Sequence, residues 1–170
     1  MANFYGGRLM TVNRGWRSIA AVFSFVVFGL GGIVLSIIVF PIVNLLPAES
    51  DAIKQRRVQK IIQLCFKCFI QMMKLLGLLT YQVIGVDRLK SAKLILANHP
   101  SLLDVVFMIA MIPNASCIVK GKLTKNIFTR GPIKAAGYLV NHDSDTLVDA
   151  AVEVINKGSA LLVFPEGTRT

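Results

Sequence analysis

Four short apolar runs in the second half of the chain each end in polar residues. The first, Leu94–Ala97, leads into Asn98 and His99. The other three are Cys117–Val119, Tyr138–Val140 and Ala160–Phe164. Runs of this length are typical of strands that are buried on both faces of a sheet, and helical patterns separate them here. The alternation predicts an α/β domain with a mostly parallel sheet flanked by helices.

The segments around these runs complete the expected domain, residues 81–170. We expect one more strand at Tyr81–Val86 and helices at Ser101–Ile112, Thr124–Ala136 and Asp145–Asn156, with a break at Gly131-Pro132. Pro100 suits the first position of a helix, so Asn98 or His99 is expected to cap it. Because a domain of this length is small for such a sheet, we also expect the chain to lack the last strands and helices of the domain.

The polar ends of the four runs are expected to meet. If the strands are parallel, their carboxyl ends lie at one edge of the sheet, which is where open α/β sheets bind ligands. The chain has two histidines, His99 and His142, and both follow such ends. Glu166 and several cations follow the others, among them Lys120, Lys122 and Arg169. This convergence favours an enzyme.

His99 and Asp104 form the first candidate site. A neutral imidazole accepts a proton from a hydroxyl near pH 7, and a nearby carboxylate fixes its tautomer and stabilises the imidazolium. Asp104 lies five positions after His99, near the end of the first turn of the expected helix. The alternative is a capping histidine with no reaction to perform.

The second candidate site is the sequence FPEGTR at 164–169. Backbone N–H groups of Glu166, Gly167 and Thr168 follow a buried strand, and a glycine lets a substrate approach the backbone. The guanidinium of Arg169 suits a phosphate or a carboxylate. The alternative is an ordinary turn with a surface arginine.

Together, NHPSLLD at 98–104 and FPEGTR at 164–169 resemble two signature blocks of the lysophospholipid acyltransferase superfamily, which includes the 1-acylglycerol-3-phosphate acyltransferases. Asn98, His99 and Asp104 match the first block, and Phe164 to Arg169 match the second in full. The resemblance covers residues 80–170. An N-terminal membrane-associated helical region is also usual in this family.

The resemblance implies a direct transfer of an acyl group to a lysophospholipid hydroxyl, without an acyl-enzyme. His99 is then the general base and Asp104 its partner, while Glu166, Gly167, Thr168 and Arg169 bind the phosphate or glycerol part of the acceptor. The donor is acyl-coenzyme A or acyl-carrier protein, used as a co-substrate, and neither a cofactor nor a metal is expected.

One block of the family pattern is altered. Where the family carries G-x-x-F-I-D-R, this chain has AGYLVNH at 136–142, so that His142 replaces the phosphate-binding arginine. Lys120 and Lys122 are candidates to supply the missing charge, although solvated lysines are the simpler alternative. The family's later proline-containing block is absent.

A charge-free apolar segment lies between Arg17 and Glu49 and makes residues 1–50 a membrane segment. It is long enough to cross a bilayer, which takes about 20 apolar residues. Arginines precede it, and the basic residues of 54–60 follow it. Because positive flanks favour the cytoplasm, we expect a re-entrant insertion with both ends cytoplasmic; the alternative is a single span.

Residues 51–80 are expected to form a basic amphipathic helix in the membrane interface. Its polar positions follow helical spacing, at Arg56, Lys60, Gln63, Lys67, Gln71 and Lys74. Apolar residues occupy the other sides. The alternative is a helix that covers the sheet and has solvated lysines. Cys65 and Cys68 lie on its apolar side, where free cysteines act as small hydrophobic residues.

Composition supports a membrane protein with an anionic partner. The net charge is +10 and hydrophobic residues make up 54% of the chain. Nucleic acid and an anionic bilayer both fit the charge, and the apolar N-terminal segment decides for the bilayer. We therefore expect no nucleic-acid partner, and a membrane location with the active site facing the cytoplasm, in a bacterial inner membrane.

Three functions from different classes remain open at this point. The first is the membrane-bound acyltransferase. The second is a lipid hydrolase that uses Ser101 as its nucleophile, although the chain has no G-x-S-x-G sequence. The third is a non-catalytic protein that binds the bilayer or an anionic lipid. Loss of acyl transfer in His99→Ala, with lipid binding intact, would distinguish the first from the third.

Overall fold

The computed structural model describes residues 14–98, 101–141 and 144–165. The helices are α1 (Arg14–Val34), α2 (Phe40–Leu45), α3 (Asp51–Leu75), α4 (Val86–Ser91), α5 (Leu102–Met111), α6 (Gly121–Lys125), α7 (Ile127–Ala135) and α8 (Ser144–Asn156). A π-helical segment, Leu35–Val39, joins α1 to α2 without a break. The strands are β1 (Leu94–Leu96), β2 (Ala115–Lys120), β3 (Leu139–Asn141) and β4 (Ala160–Val163).

The four strands form one parallel sheet in the order β1-β4-β2-β3. The last strand in the chain therefore lies inside the sheet, between β1 and β2. Leu96 pairs with Val163, and Lys120 pairs with Asn141. The predicted α/β class and the shared carboxyl edge are confirmed.

One apolar core fills the space between the sheet and the helices α2, α3 and α5. Val58 and Ile62 of α3, Ile112 after α5 and Leu162 of β4 are at most 2% exposed. The alternate residues of the strands face the other side of the sheet, where α8 contacts β3 and β4. This second face buries Leu161 as well.

β1 is less buried than the sequence predicts. Ile95 belongs to the core, but Leu94 and Leu96 are 53% and 66% exposed. In the described part of the chain β1 pairs only with β4, so it is an edge strand and α8 does not cover its outer face. An apolar run of this kind does not by itself distinguish an edge strand from a central one.

The segment from α1 to α2 runs antiparallel to α3 along most of its length. The indole N–H of Trp16 donates to the carbonyl of Leu76 over 3.1 Å. The ring of Phe28 lies 6.1 Å from that of Phe66 and 5.3 Å from that of Phe69. α7 packs on the same segment, where a Cβ added to Gly131 would lie 2.1 Å from Ser36 Oγ.

α3 begins at Asp51, after Ser50, whose Oγ accepts from the Ile53 N–H over 3.4 Å. It buries Ile62, Ile70 and Met73 against α5 and the sheet. Lys60 and Lys67 are exposed. This is the packing that the covering-helix alternative describes; the position of α3 relative to a bilayer stays a prediction. Burial raises the pKa of the Cys65 thiol, and Cys68 raises it further.

Three local predictions were wrong. Tyr81–Val86 is not a strand, because Tyr81 packs against the ring of Phe107 at 5.0 Å and Gly85, with φ of 79°, begins α4. Pro132 lies inside α7, and the expected break falls at Asn126 instead, between α6 and α7. α5 begins at Leu102 with Ser101 as its cap, two positions later than the sequence indicated.

Candidate active site

The order of the strands brings the two signature blocks together. β1 leads through Ala97 and Asn98 towards His99, and its neighbour β4 leads through Phe164 and Pro165 towards Glu166. The Ala97 N–H donates to the Val163 carbonyl over 3.1 Å, so that the pairing extends to the last residues before both motifs. The blocks are about 60 residues apart in the chain and follow adjacent parallel strands, about 4.8 Å apart.

Several predicted site residues lie outside the described part of the chain. These are His99, His142, Glu166, Gly167, Thr168 and Arg169. Asp104 and Lys120 are described, and so are Asn98, Asn141 and Pro165, each of which comes directly before one of these residues. The described part of the chain therefore shows the elements that lead into the candidate site.

Asp104 lies in the first turn of α5 and is half-buried. Its Oδ2 accepts two hydrogen bonds from Ser101, one from the backbone N–H over 2.8 Å and one from Oγ over 2.9 Å. A carboxylate in this position is also favoured by the positive end of the helix dipole. Asp104 thus has a fixed place within five residues of His99.

Ser101 is the residue whose role sequence reasoning missed. From the sequence it is considered only as the nucleophile of a hydrolase. The signal was available, because Ser101-x-x-Asp104 is a capping-box pattern that predicts reciprocal contacts between the two residues.

Lys120 ends β2 and is exposed. β2 borders β4, whereas β3 lies beyond β2 at the far edge of the sheet. Lys120 is thus one strand away from the FPEGTR block, and the end of β3 at Asn141, which precedes His142, is two strands away. The sequence alone does not show whether Lys120 or His142 follows the strand nearer to the FPEGTR block.

The surface beside Lys120 is strongly basic. The chain has no Asp or Glu between Asp104 and Asp143. Lys122 and Lys125 of α6 and Arg130 of α7 are exposed. Within the described residues none of these three has an ion pair. These exposed cations favour the approach of an anionic ligand to this side of the sheet edge.

Two other features lie away from this edge. A groove of about 460 Å³ lined by Lys67, Gln71 and Tyr81 is at the carboxyl end of α5, whereas Asp104 is in the first turn, about 10 Å away along the helix axis. Burial raises the pKa of Tyr138, as it does that of Cys117, which reaches about 12; both are in the core. Among the described residues no cluster of His, Cys, Asp or Glu could hold a metal ion.

Comparison with known proteins agrees with this arrangement. A family model described as Acyltransferase matches residues 80–170, which contain both blocks and the whole sheet. The chain belongs to this acyltransferase family. The matched region begins after α3, so the family match does not include the apolar N-terminal helices.

Two curated relatives of this chain are each called 1-acyl-sn-glycerol-3-phosphate acyltransferase. The relative from Helicobacter pylori strain J99 is 34% identical over 84 residues, which cover 46% of this chain and 35% of the relative. The relative from Saccharomyces cerevisiae is 31% identical over 113 residues, 61% of this chain and 37% of the relative. The chain thus matches little more than a third of each. No solved structure matches the chain significantly.

Proposed function

We propose that the protein transfers a fatty acyl group from an acyl thioester, acyl-coenzyme A or acyl-carrier protein, to the free hydroxyl of a lysophospholipid such as 1-acylglycerol-3-phosphate. One observation carries the proposal: β1 and β4 are adjacent and parallel, so their two polar ends meet at one edge of the sheet. The names of the two relatives support the choice of acceptor.

In the proposed reaction His99 removes the proton of the acceptor hydroxyl. The hydroxyl oxygen attacks the thioester carbonyl, the carbon–sulfur bond breaks, and the imidazolium returns its proton to the leaving thiolate. Asp104 orients and stabilises the imidazolium. Glu166, Gly167, Thr168 and Arg169 bind the acceptor, and Lys120 adds charge next to them, with His142 further along the edge.

The test of this proposal uses membranes from cells that express the protein. Labelled acyl-coenzyme A or acyl-carrier protein is supplied with 1-acylglycerol-3-phosphate or with other lysolipids, and products are identified by mass spectrometry. A diacyl product that falls by about 10²–10⁴-fold in His99→Ala is the expected result, since this is the part of the rate that a general base contributes. Equal product from His99→Ala would contradict the assigned base.

We also propose that the protein attaches to a bilayer by the outer face of α1 and α2. Within the described residues one helix, Arg14–Val43, is long and apolar enough to cross a membrane, and 11% of its apolar window is buried. Its exposed residues recur at helical spacing and include Ile19, Phe23, Val26, Leu30, Val34 and Ile37, which are 48–68% exposed.

The packing of this helix supports a surface or re-entrant position. α3 runs beside it from Trp16 to Pro47, whose carbonyl accepts from Arg57. Because α3 exposes Lys60, Lys67 and Lys74, it cannot enter the hydrocarbon together with the apolar helix. α7 adds Arg130 and Lys134 on its own exposed side, where anionic headgroups stabilise them.

A cysteine placed at Asn3 tests this position. The native Cys65, Cys68 and Cys117 are first replaced, and sealed cells are treated with an impermeant thiol reagent. No labelling is expected until the cells are lysed, because both ends of the helix stay on the cytoplasmic side. Labelling in sealed cells would show that the helix spans the membrane.

A further inference from the structure

Ser101 makes two contacts with a single oxygen atom. Its backbone N–H and its hydroxyl both donate to Oδ2 of Asp104, over 2.8 and 2.9 Å. The bond from the hydroxyl to Oδ2 comes in addition to the capping box, in which the Ser101 side chain accepts from the Asp104 backbone and the Asp104 carboxylate accepts from the Ser101 N–H. The second donor fixes the orientation of the carboxylate, because two bonds to one oxygen define how the group is turned.

The other oxygen of Asp104 has a different environment. In the described ranges, 14–98, 101–141 and 144–165, no donor reaches Oδ1. A carboxylate with both contacts on Oδ2 therefore keeps Oδ1 as an acceptor at the amino end of α5. An ionised carboxylate forms short, strong hydrogen bonds with a further donor such as an imidazole N–H.

We propose that Ser101 is a positioning residue of the acyl transfer, and that it holds Oδ2 of Asp104 so that Oδ1 remains available as an acceptor for the base. The inference rests on the proposed function, in which His99 is that base. Ser101 acts through Asp104 and forms no bond with substrate. The Ser101 hydroxyl keeps its proton throughout the reaction and donates it in a hydrogen bond to the carboxylate. A nucleophilic serine would lose this proton.

The chain offers a matched control in Ser50. Ser50 caps α3 as Ser101 caps α5, but its Oγ accepts from the Ile53 N–H and the residue at the corresponding position is not acidic. Ser50→Ala removes a cap hydroxyl from a helix that has no place in the proposed site. Ser50→Ala therefore measures how the loss of a helix cap changes kcat when the contacts of Asp104 stay intact.

The experiment measures kcat and KM for Ser101→Ala, Ser101→Thr and Ser50→Ala in membranes that contain the whole protein. Ser101→Ala should lower kcat by about 10- to 100-fold with KM unchanged for donor and acceptor, because a misplaced catalytic group slows the chemical step. Ser101→Thr keeps a hydroxyl and should restore most of kcat. Ser50→Ala should keep the kcat of the unaltered protein.

Four results would overturn the inference. They are an unchanged kcat in Ser101→Ala, a loss that Ser101→Thr does not restore, an equal loss in Ser50→Ala, and an acyl adduct on Ser101 in the intact-protein mass spectrum after incubation with donor alone. Unfolding midpoints of all variants, measured in parallel, ensure that folded protein is compared. If the unaltered protein forms no diacyl product, the proposed function fails, and if His99→Ala stays active, the assignment of the base fails, whatever Ser101→Ala does.

Discussion

β4 and β1 are neighbours in the sheet and lead into the two signature blocks, but they are buried very differently. Leu161 and Leu162 of β4 are 2% and 0% exposed, because helices cover both faces of the strand. β1 buries only Ile95, and its outward residues are exposed. The site is thus supported on one side by the best-packed strand and on the other by an edge strand that hydrogen bonds attach to β4.

The comparison teaches that the two halves of the site have different sources of rigidity. FPEGTR continues a strand whose position the core determines. The weakly packed β1 precedes the His99 block, and the first turn of α5, where Ser101 and Asp104 are bonded, follows it. Local opening is expected at β1 before β4, since stability within a structure follows burial.

Thiol labelling gives the largest expected difference between the buried middle of the sheet, where Cys117 of β2 lies beside β4, and the edge strand β1. Cys117 pairs in register with Leu162 and is 2% exposed, so a thiol reagent should reach it only through unfolding, about 10³-fold or more slowly than an exposed thiol. The thiol of a Leu96→Cys variant should react at once, as should that of Cys68. Mass spectrometry of labelled peptides over time measures all three, and equally fast labelling of Cys117 would contradict the difference in burial.

Cys117 also makes the stability of the folded protein depend on pH. Burial raises the pKa of Cys117 from 9.0 to about 12, so the folded state keeps a proton that the unfolded state loses. Its contribution to stability is fully present below pH 9 and is lost as the pH rises towards 12. Unfolding midpoints measured across this range should fall less steeply in Cys117→Ala.

Shortening one leucine in each strand is the next test. Leu162→Ala should lower the free energy of unfolding by about 2–5 kcal/mol, because it leaves a cavity in a fully packed core. Leu96→Ala makes the same chemical change on the exposed side of β1 and should cost at most about 0.5 kcal/mol. Urea unfolding followed by circular dichroism measures both. Similar costs would mean that β1 is as well covered as β4.

The strand order predicts a smaller effect, on the KM for the acceptor. Lys120 ends the strand that borders β4, so Lys120→Ala should raise KM for the acceptor about 10-fold, equivalent to about 1.4 kcal/mol. His142→Ala should raise it less, because β3 is one strand further away. Lys157→Ala, in an exposed residue that pairs with Glu153, is the charge-matched control. A larger effect from His142→Ala would reverse the ranking.

Much of the fold was predictable because its signals are local. Alternating apolar runs and helical patterns indicated the sheet, the helices between its strands and the shared edge. The exposure of β1 and the absence of a strand at Tyr81–Val86 were not predictable, since both depend on which elements lie beside these segments. Pro132 was read as a break, but α7 continues through it and the Ala136 N–H bonds to its carbonyl.

By itself, the sequence determined the chemistry that is available: an imidazole and a carboxylate five residues apart, the FPEGTR motif, a basic surface and a charge-free apolar helix. Composition and short-range spacing carry that information, because capping, helix period and side-chain type act over a few residues. The tertiary structure decided that β4 inserts next to β1, that Lys120 lies nearer to β4 than the end of β3 does, and that α3 packs along one side of the apolar helix. These follow from contacts between residues far apart in the chain, which no local pattern specifies.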